Sequence, residues 1–593
     1  MDQTIAQRVE QWRAGCTDPE LAAELAELEK LAGTEAESKL VDAFYQDLAF
    51  GTAGLRGVIG VGSNRMNIYT VAQATQGLAD YLNAHVEHPT VAIARDSRNK
   101  GELFVQVAAG VLAANGITSF VYPRIEPVPA LSFAVRHLGC SAGICMTASH
   151  NPAAYNGYKV YGADGCQIAS QAAADIQAAI NETPVFGGAK LMDFAEAQAA
   201  GLVRWIDDET LDAFVDAVLT QSQPEAVKAA NGFADFKVVY TPLNGTGIEL
   251  MRRVLDRIGV RNMVVVPEQE YPDGNFPTCP YPNPENRAAL VKALELCEVE
   301  HPDLLLATDP DADRVGIAVP HNGAYELLTG NEVGTLLLDW LCRTKAEAGE
   351  DLMSKVAVST IVSTSMPDAL ARHYGFEMRR VLTGFKYIGG QIDLLTEENR
   401  GEDFLFGFEE SYGYLASTHV RDKDGIVAGM LICEMAAWYA ARGKDLYQAM
   451  DDLYAEHGYY LNGVINVEFP GAEGSARMKE IMAGLRGPEA PSEVCGLTVE
   501  GVTDYAVGVE MPVVYGACAV CGNCDGGNNG AEPQTLPSAN VVEFRLTGGS
   551  KLIVRPSGTE PKIKAYLFAN APTREAAEKL RDDLAEAARG LLQ

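Results

Sequence analysis

A strand–helix–strand unit of about 30 residues occurs three times in this chain, and that recurrence restricts the available folds more than any other feature. In the first copy a β-run at Thr90–Arg95 leads to a helical run at 102–115, closed by Gly116, and then to a β-run at 118–122. The order returns at 236–241, 248–258 and 262–266, and again at 355–363, Met366–Tyr374 and 377–382. Such crossover units predict three α/β domains of related design. The C-terminal part reads differently: a β-rich start at 459–469, a helix, a hairpin pairing 541–546 with 551–555 through Thr547-Gly548-Gly549-Ser550, and an amphipathic helix over 573–592. The expected fold class is therefore α/β, with three related α/β domains followed by a smaller α+β C-terminal domain. The expected divisions are 1–220, 221–325, 326–450 and 451–593, with linkers near 215–232, 320–330 and 442–458. The first begins with a helix carrying Leu21, Leu25, Leu28 and Leu31 at helical spacing.

Composition removes several function classes. The 593 residues carry a formal charge of −33 and a pI of ≈ 4.7, so nucleic acid and anionic membrane are poor partners. A small anion could bind only in a local basic pocket. No run approaches the length of a spanning helix, and the N-terminal stretch has early acid and no apolar core, unlike a signal peptide. Twelve cysteines are thinly scattered, as in a reduced cytoplasmic enzyme.

Four loops carry the chemistry. Thr147-Ala148-Ser149-His150-Asn151-Pro152 follows the apolar run 143–146. At such a strand end Ser149 could be a nucleophile with acid–base help from His150 or Lys159, or the segment is only a turn. Asp309-Pro310-Asp311-Ala312-Asp313-Arg314 follows the β-run 303–308. Acids at alternate positions can turn three carboxylates toward one hard cation, with Mg²⁺ preferred over a merely solvated turn. The EF-hand pattern fails, because positions six and twelve hold Arg314 and Pro320. Arg555-Pro556-Ser557-Gly558-Thr559-Glu560-Pro561-Lys562 suits a phosphate dianion or an ordinary hairpin exit. Gly407-Phe408-Glu409-Glu410-Ser411-Tyr412-Gly413-Tyr414 could hydrogen-bond sugar hydroxyls. Gly51–Gly57, containing Arg56, and Thr383-Gly384-Phe385-Lys386 are weaker signals. Asn244-Gly245-Thr246-Gly247 opens a helix after a strand, but Leu250 stands where a dinucleotide fingerprint needs its third glycine. Cys518, Cys521 and Cys524 lie in a Gly/Asn-rich stretch, 516–531, that reads as an inserted surface loop without the fourth ligand of a closed zinc site.

In this order the loops resemble those of the α-D-phosphohexomutase superfamily, closest to its phosphoglucomutase/phosphopentomutase branch. The resemblance runs from Gly51 to the end and itself implies three α/β domains and a fourth α+β domain. It implies that Ser149 carries a phosphoryl group, that Asp309, Asp311 and Asp313 bind Mg²⁺ together with the seryl phosphate, and that Arg56 and Arg314 lie near the transferring phosphate. Glu409 and Ser411, with Thr383 and Lys386, would read the sugar. Arg555, Ser557, Gly558 and Thr559 would hold the other phosphate, and Lys159 and Lys423 would move protons. The implied reaction interconverts glucose 1-phosphate and glucose 6-phosphate through a bisphosphorylated sugar, primed by glucose 1,6-bisphosphate. Pentose phosphates come second and mannose phosphates third, the Tyr412-Gly413-Tyr414 run standing where some phosphomannomutases place a histidine. An inactive sugar-phosphate sensor is the non-enzymatic alternative. A cytoplasmic monomer or weak homodimer is expected.

Overall fold

The computed structural model describes residues 2–51, 54–229, 232–469, 471–488, 490–511, 534–557 and 562–593. The chain divides into two compact units, one built from residues 1–222, 233–318 and 418–433, the other from 223–232, 319–417 and 434–593.

The first unit begins with three short helices rather than one: Gln3–Gly15, Pro19–Glu29 and Glu37–Phe44. Proline cannot continue a helix interior but fits a first turn, so the chain breaks before Pro19, where Asp18 accepts from the Leu21 amide at 2.9 Å. A second break surrounds Gly33, whose φ is +76°. Leu25 is buried with Ile5, Val9, Trp12 and Phe44, while Leu21 and Leu28 pack at its margin.

Six strands follow: β1 (Gly54–Val58), β2 (Thr90–Arg95), β3 (Thr118–Val121), β4 (Ala142–Met146), β5 (Tyr155–Gly162) and β6 (Val203–Trp205). They form one sheet in the order β1-β5-β4-β2-β3-β6. Strand β2 pairs in parallel with β3 and β4, as a crossover unit requires, and β5 returns antiparallel to β4. Helices Ile68–His85, Gly101–Ala114 and Ser170–Glu182 contribute Leu78, Phe104, Leu112 and Ile176 to a core shared with Val91, Ile93, Ile144 and Tyr158.

The second crossover unit gives β7 (Lys237–Thr241), helix Gly247–Ile258 and β8 (Asn262–Val265), then β9 (Leu304–Thr308) and β10 (Val315–His321). Strand β7 is parallel to β8 and β9, and β10 is antiparallel to β9.

In the second unit Val356–Thr360 is parallel to Glu377–Val381 and to Phe404–Glu409, and Gly413–Leu415 runs antiparallel to the last. The C-terminal sheet is antiparallel, with Tyr459–Glu468, Lys562–Ala571, Lys551–Pro556, Val542–Leu546 and Leu497–Asp504 as successive neighbours. Helix Arg574–Leu591 follows it, burying Ala577, Leu584 and Ala588. The expected linker near 442–458 is instead mostly the helix Leu446–His457, started by an Asp445–Gln448 capping box that supplies its first free amides with acceptors. No helix among the described residues is long and apolar enough to cross a membrane.

Candidate active site

Each of the three α/β sheets ends a parallel strand in a short loop and returns antiparallel beside it. The loops are 147–154 between β4 and β5, 309–314 between β9 and β10, and 410–412 between Phe404–Glu409 and Gly413–Leu415. Each contains a non-glycine residue at positive φ: Ser149 at +52°, Ala312 at +49° and Tyr412 at +64°. Such backbone costs about 1–3 kcal/mol and persists only where its surroundings hold it.

The Ser149 loop is held by Arg98, whose fully buried guanidinium donates to the carbonyls of Ser149, Asn151, Pro152 and Tyr155, the last two at 2.9 Å. Asp96 fixes Arg98 in turn, accepting from its amide at 2.9 Å. Burial pushes the Asp96 carboxyl up to about 6, against the pull of Arg98. Neither residue was singled out from the sequence. The available signal was a pair of charges, Asp96 and Arg98, directly after the apolar run of β2.

The Ser149 hydroxyl donates to Asp309 Oδ2 at 2.9 Å and lies 3.1 Å from His150 Nδ1. Burial, followed by Arg314 and Arg56, pushes the His150 imidazole down to about 2, so it is neutral near pH 7. Thr147 Oγ1 donates to Asp311 Oδ2 at 3.0 Å. The register pairs Lys159 with Cys145 on β4 and Gly54 on β1, and Lys159 Nζ reaches Asp311 Oδ2 at 2.8 Å and Asp313 Oδ2 at 3.4 Å. Lys423 Nζ reaches the same Asp313 oxygen at 3.3 Å and Asp422 at 3.1 Å. Asp422, also missed in the sequence, accepts from Tyr161 and Gln167 at 3.1 Å each. Arg314 donates through its amide to Asp309 at 3.0 Å and through its guanidinium to Glu285 at 2.7 Å. Arg56 is exposed and 3.4 Å from the Asn151 side chain.

Asp309, Asp311 and Asp313 are at most 1 % exposed, with one oxygen from each within 4.8 Å of the others. Burial, then Asp311 and Asp313, pushes the Asp309 carboxyl well above the usual carboxylate range. Burial acts the same way on Asp311, but Lys159 overrides it and holds that carboxyl low. Asp311 Oδ1 and Asp313 Oδ1 are buried and receive no hydrogen bond. Two orphaned carboxylate oxygens beside a third acid fit a hard divalent cation. The Asn244-Gly245-Thr246 turn supports this loop. Thr246 donates to the Pro310 carbonyl through amide and hydroxyl, at 2.9 and 3.0 Å, and a Cβ on Gly245 would lie 2.4 Å from Pro310 Cα.

In the second unit Glu409 accepts from the Gly384 amide at 2.8 Å, tying the Thr383–Lys386 loop to the loop before Ser411. The adjacent Glu410 turns back toward Thr360 and Ser363. The Thr383 hydroxyl is buried without a partner. Arg555 is half-buried near the end of Lys551–Pro556, and the Ser557 amide donates to Lys562 at 2.8 Å. Gly558 and Thr559 lie outside the described residues, as do Cys518, Cys521 and Cys524.

A serine hydroxyl on a buried acidic triad, with lysines bound to the same acids, in a chain whose three α/β sheets share one design, is the equipment of a phosphoryl-transfer enzyme of the isomerase type. The chain belongs to the phosphoglucomutase/phosphomannomutase family: its α/β/α domains I, II and III match residues 47–184, 212–323 and 329–457, and its C-terminal domain matches 509–587. Phosphoglucomutases of Staphylococcus epidermidis and Staphylococcus saprophyticus are 34% and 35% identical over 539 and 541 residues, covering 90% of this chain and 93% and 92% of theirs. The fold is shared with the open form of the Paramecium phosphoglucomutase parafusin, at 17% identity, a TM-score of 0.68 and coverage of 92% and 95%. It is also shared with a family member from Burkholderia thailandensis, at 17% identity, 0.61, and coverage of 91% and 97%.

Proposed function

We propose that the chain interconverts glucose 1-phosphate and glucose 6-phosphate, with Ser149 as the phosphoryl carrier. The observation that carries this reading is the buried Ser149 hydroxyl bonded to Asp309 within the acidic triad. The phosphoserine P–O bond breaks as a sugar hydroxyl oxygen bonds to phosphorus. Lys159 gives a proton to the departing Ser149 oxygen and takes back the one that the sugar hydroxyl loses, so it ends the step as the ammonium it began. The resulting bisphosphate then returns its other phosphoryl group to Ser149. Lys159, whose ammonium is stabilised by Asp311 and Asp313 against its burial, is a proton donor and charge neutraliser rather than a resting base. Lys423 is its partner from the other side of Asp313. Neutral His150 steadies the Ser149 hydroxyl and takes no proton at pH 7. Arg56 and Arg314 offset phosphate charge, Glu409, Ser411, Thr383 and Lys386 read sugar hydroxyls, and Arg555, Ser557, Gly558 and Thr559 hold the distal phosphate. Positioning and charge neutralisation are what phosphoryl transfer chiefly requires of a protein.

Mg²⁺ held by Asp309, Asp311 and Asp313 would neutralise charge on the seryl phosphate. Glucose 1,6-bisphosphate serves as primer. The nine described cysteines are all free, which supports a cytoplasmic enzyme, acting as a monomer or weak homodimer. A kcat/KM panel over glucose, ribose, deoxyribose and mannose 1-phosphates, with Mg²⁺ and primer, tests the substrate. Glucose is expected first. A pentose preference above tenfold would reverse that ranking, and failure to turn over any of them would favour a sensor. Treatment with EDTA should abolish turnover, and Mg²⁺ should restore it.

A further inference from the structure

A second set of metal-ligand side chains lies in the second unit, away in sequence from every loop described above. His373, Glu456 and His457 each place a donor atom within 4.8 Å of the other two. His457 Nε2 is 3.9 Å and His373 Nδ1 is 4.0 Å from the same oxygen, Glu456 Oε1. The His457 side chain is 10% exposed, and its Nε2 is buried with no hydrogen-bond partner. A buried imidazole nitrogen left empty beside a carboxylate and a second imidazole is costly unless something occupies the gap.

We infer that His373, Glu456 and His457 form a binding site for a borderline first-row divalent cation of the Zn²⁺ class. Two imidazoles and one carboxylate suit zinc or its neighbours, whereas Mg²⁺ and Ca²⁺ prefer all-oxygen shells. Donors around a tetrahedral zinc stand roughly 3.3 Å apart, given bonds of about 2.0 Å, so each imidazole must draw in on Glu456 by about 0.6–0.7 Å and the two imidazoles on each other by at most about 1.5 Å. The electrostatics agree. His457 ends helix Leu446–His457 and His373 sits in the last turn of Met366–Tyr374, and helix C-termini favour cations. Arg343 lies 3.8 Å from the other Glu456 oxygen, but Asp339 neutralises it at 2.8 Å and also accepts from Tyr374 at 2.7 Å. Glu456 and Asp339 against Arg343 leave one net negative charge for the ion. His373 and Glu456 are 29% and 48% exposed, leaving an entry side and room for water as a fourth ligand. The ion would pin two helix ends together. No sequence spacing announces the site, because His373 is remote from the adjacent pair.

The test is Zn²⁺ and Co²⁺ binding to full-length protein, measured by calorimetry and by the Co²⁺ absorption spectrum. A Cys521→Ser background weakens any thiolate site, and excess Mg²⁺ fills the acidic triad. One tight equivalent is expected, with a Co²⁺ spectrum showing nitrogen ligation and a raised Tm. His457→Ala should abolish it, and Glu456→Gln, on the exposed side and safe for folding, should weaken it at least tenfold. Unchanged binding in folded Glu456→Gln and His457→Ala proteins, or no equivalent beyond the Mg²⁺-protected triad, would overturn the proposal. Neither result bears on the phosphoserine mechanism, whose acids are elsewhere in the sequence.

Discussion

Ser149 and Arg98 divide the work at the 147–154 loop: the first supplies the hydroxyl, the second holds the backbone that presents it. Because Arg98 and Asp96 are a fully buried pair, removing one partner strands the other. Arg98→Met should cost about 3–5 kcal/mol in denaturant unfolding and, by misplacing Ser149, about a hundredfold in kcat. Asp96→Asn/Arg98→Met should recover part of the stability and none of the kcat, which separates loop positioning from folding. Ser149 and the three acids stand out in the sequence as candidates because each lies in a contiguous motif whose residue types suggest their chemistry, whereas Lys159 stands out only as a lysine following the Ser149 loop. Lys423 was legible only through family resemblance. Arg98 was not legible, since its partners are carbonyls, and a sequence does not show where four carbonyls converge.

Glu126 makes the stability of the fold depend on pH. It is 2% exposed, and burial pushes its carboxyl up to about 7, although Arg124 at 3.0 Å pulls the other way. The folded state therefore holds a proton that the unfolded state releases near pH 4.5. Stability contributed by this group is full below that value, falls as pH rises to about 7, and is level beyond. Glu126→Gln should leave Tm at pH 4.5 nearly unchanged and raise unfolding free energy at pH 8 by up to about 3 kcal/mol. A wild-type and variant difference that is flat with pH would remove the assignment.

Among elements, the parallel strand, tight loop and antiparallel return occur three times, and under the proposed function each copy would carry a different part of the chemistry: Ser149, the acids, then Glu409 and Ser411. The crossover units were readable from apolar runs and glycine stops. The antiparallel returns were not, since β5 and Gly413–Leu415 carry no alternation that distinguishes them from loops rich in glycine and tyrosine. The Asn244-Gly245-Thr246-Gly247 turn reads in sequence as an incomplete dinucleotide fingerprint, yet in the structure it buttresses the backbone of the acidic loop at Pro310. Gly245→Ala drives a Cβ into Pro310 and should cost about 1–3 kcal/mol. It should also raise the Mg²⁺ concentration for half-maximal activity severalfold while leaving KM for sugar phosphate near wild type. An unchanged Mg²⁺ titration would show that the buttress does not set the geometry of the acids.

Over the whole molecule, a formal charge of −33 coexists with a local run of cations, Arg98, Lys159, Arg314 and Lys423, gathered around buried acids. That contrast lets a strongly acidic protein offer a local basic pocket to a small phosphate. The proposed mechanism requires the phosphoryl group to pass through Ser149. Incubation with labelled glucose 1,6-bisphosphate, followed by intact-mass and peptide analysis and a chase with unlabelled glucose 1-phosphate, tests it most directly. One phosphoryl group per chain is expected, located on Ser149, chased into sugar phosphate at the rate of turnover, and absent from an inactive Ser149→Ala protein. Label on another residue, label that does not chase, or a Ser149→Ala enzyme with normal kcat would contradict it.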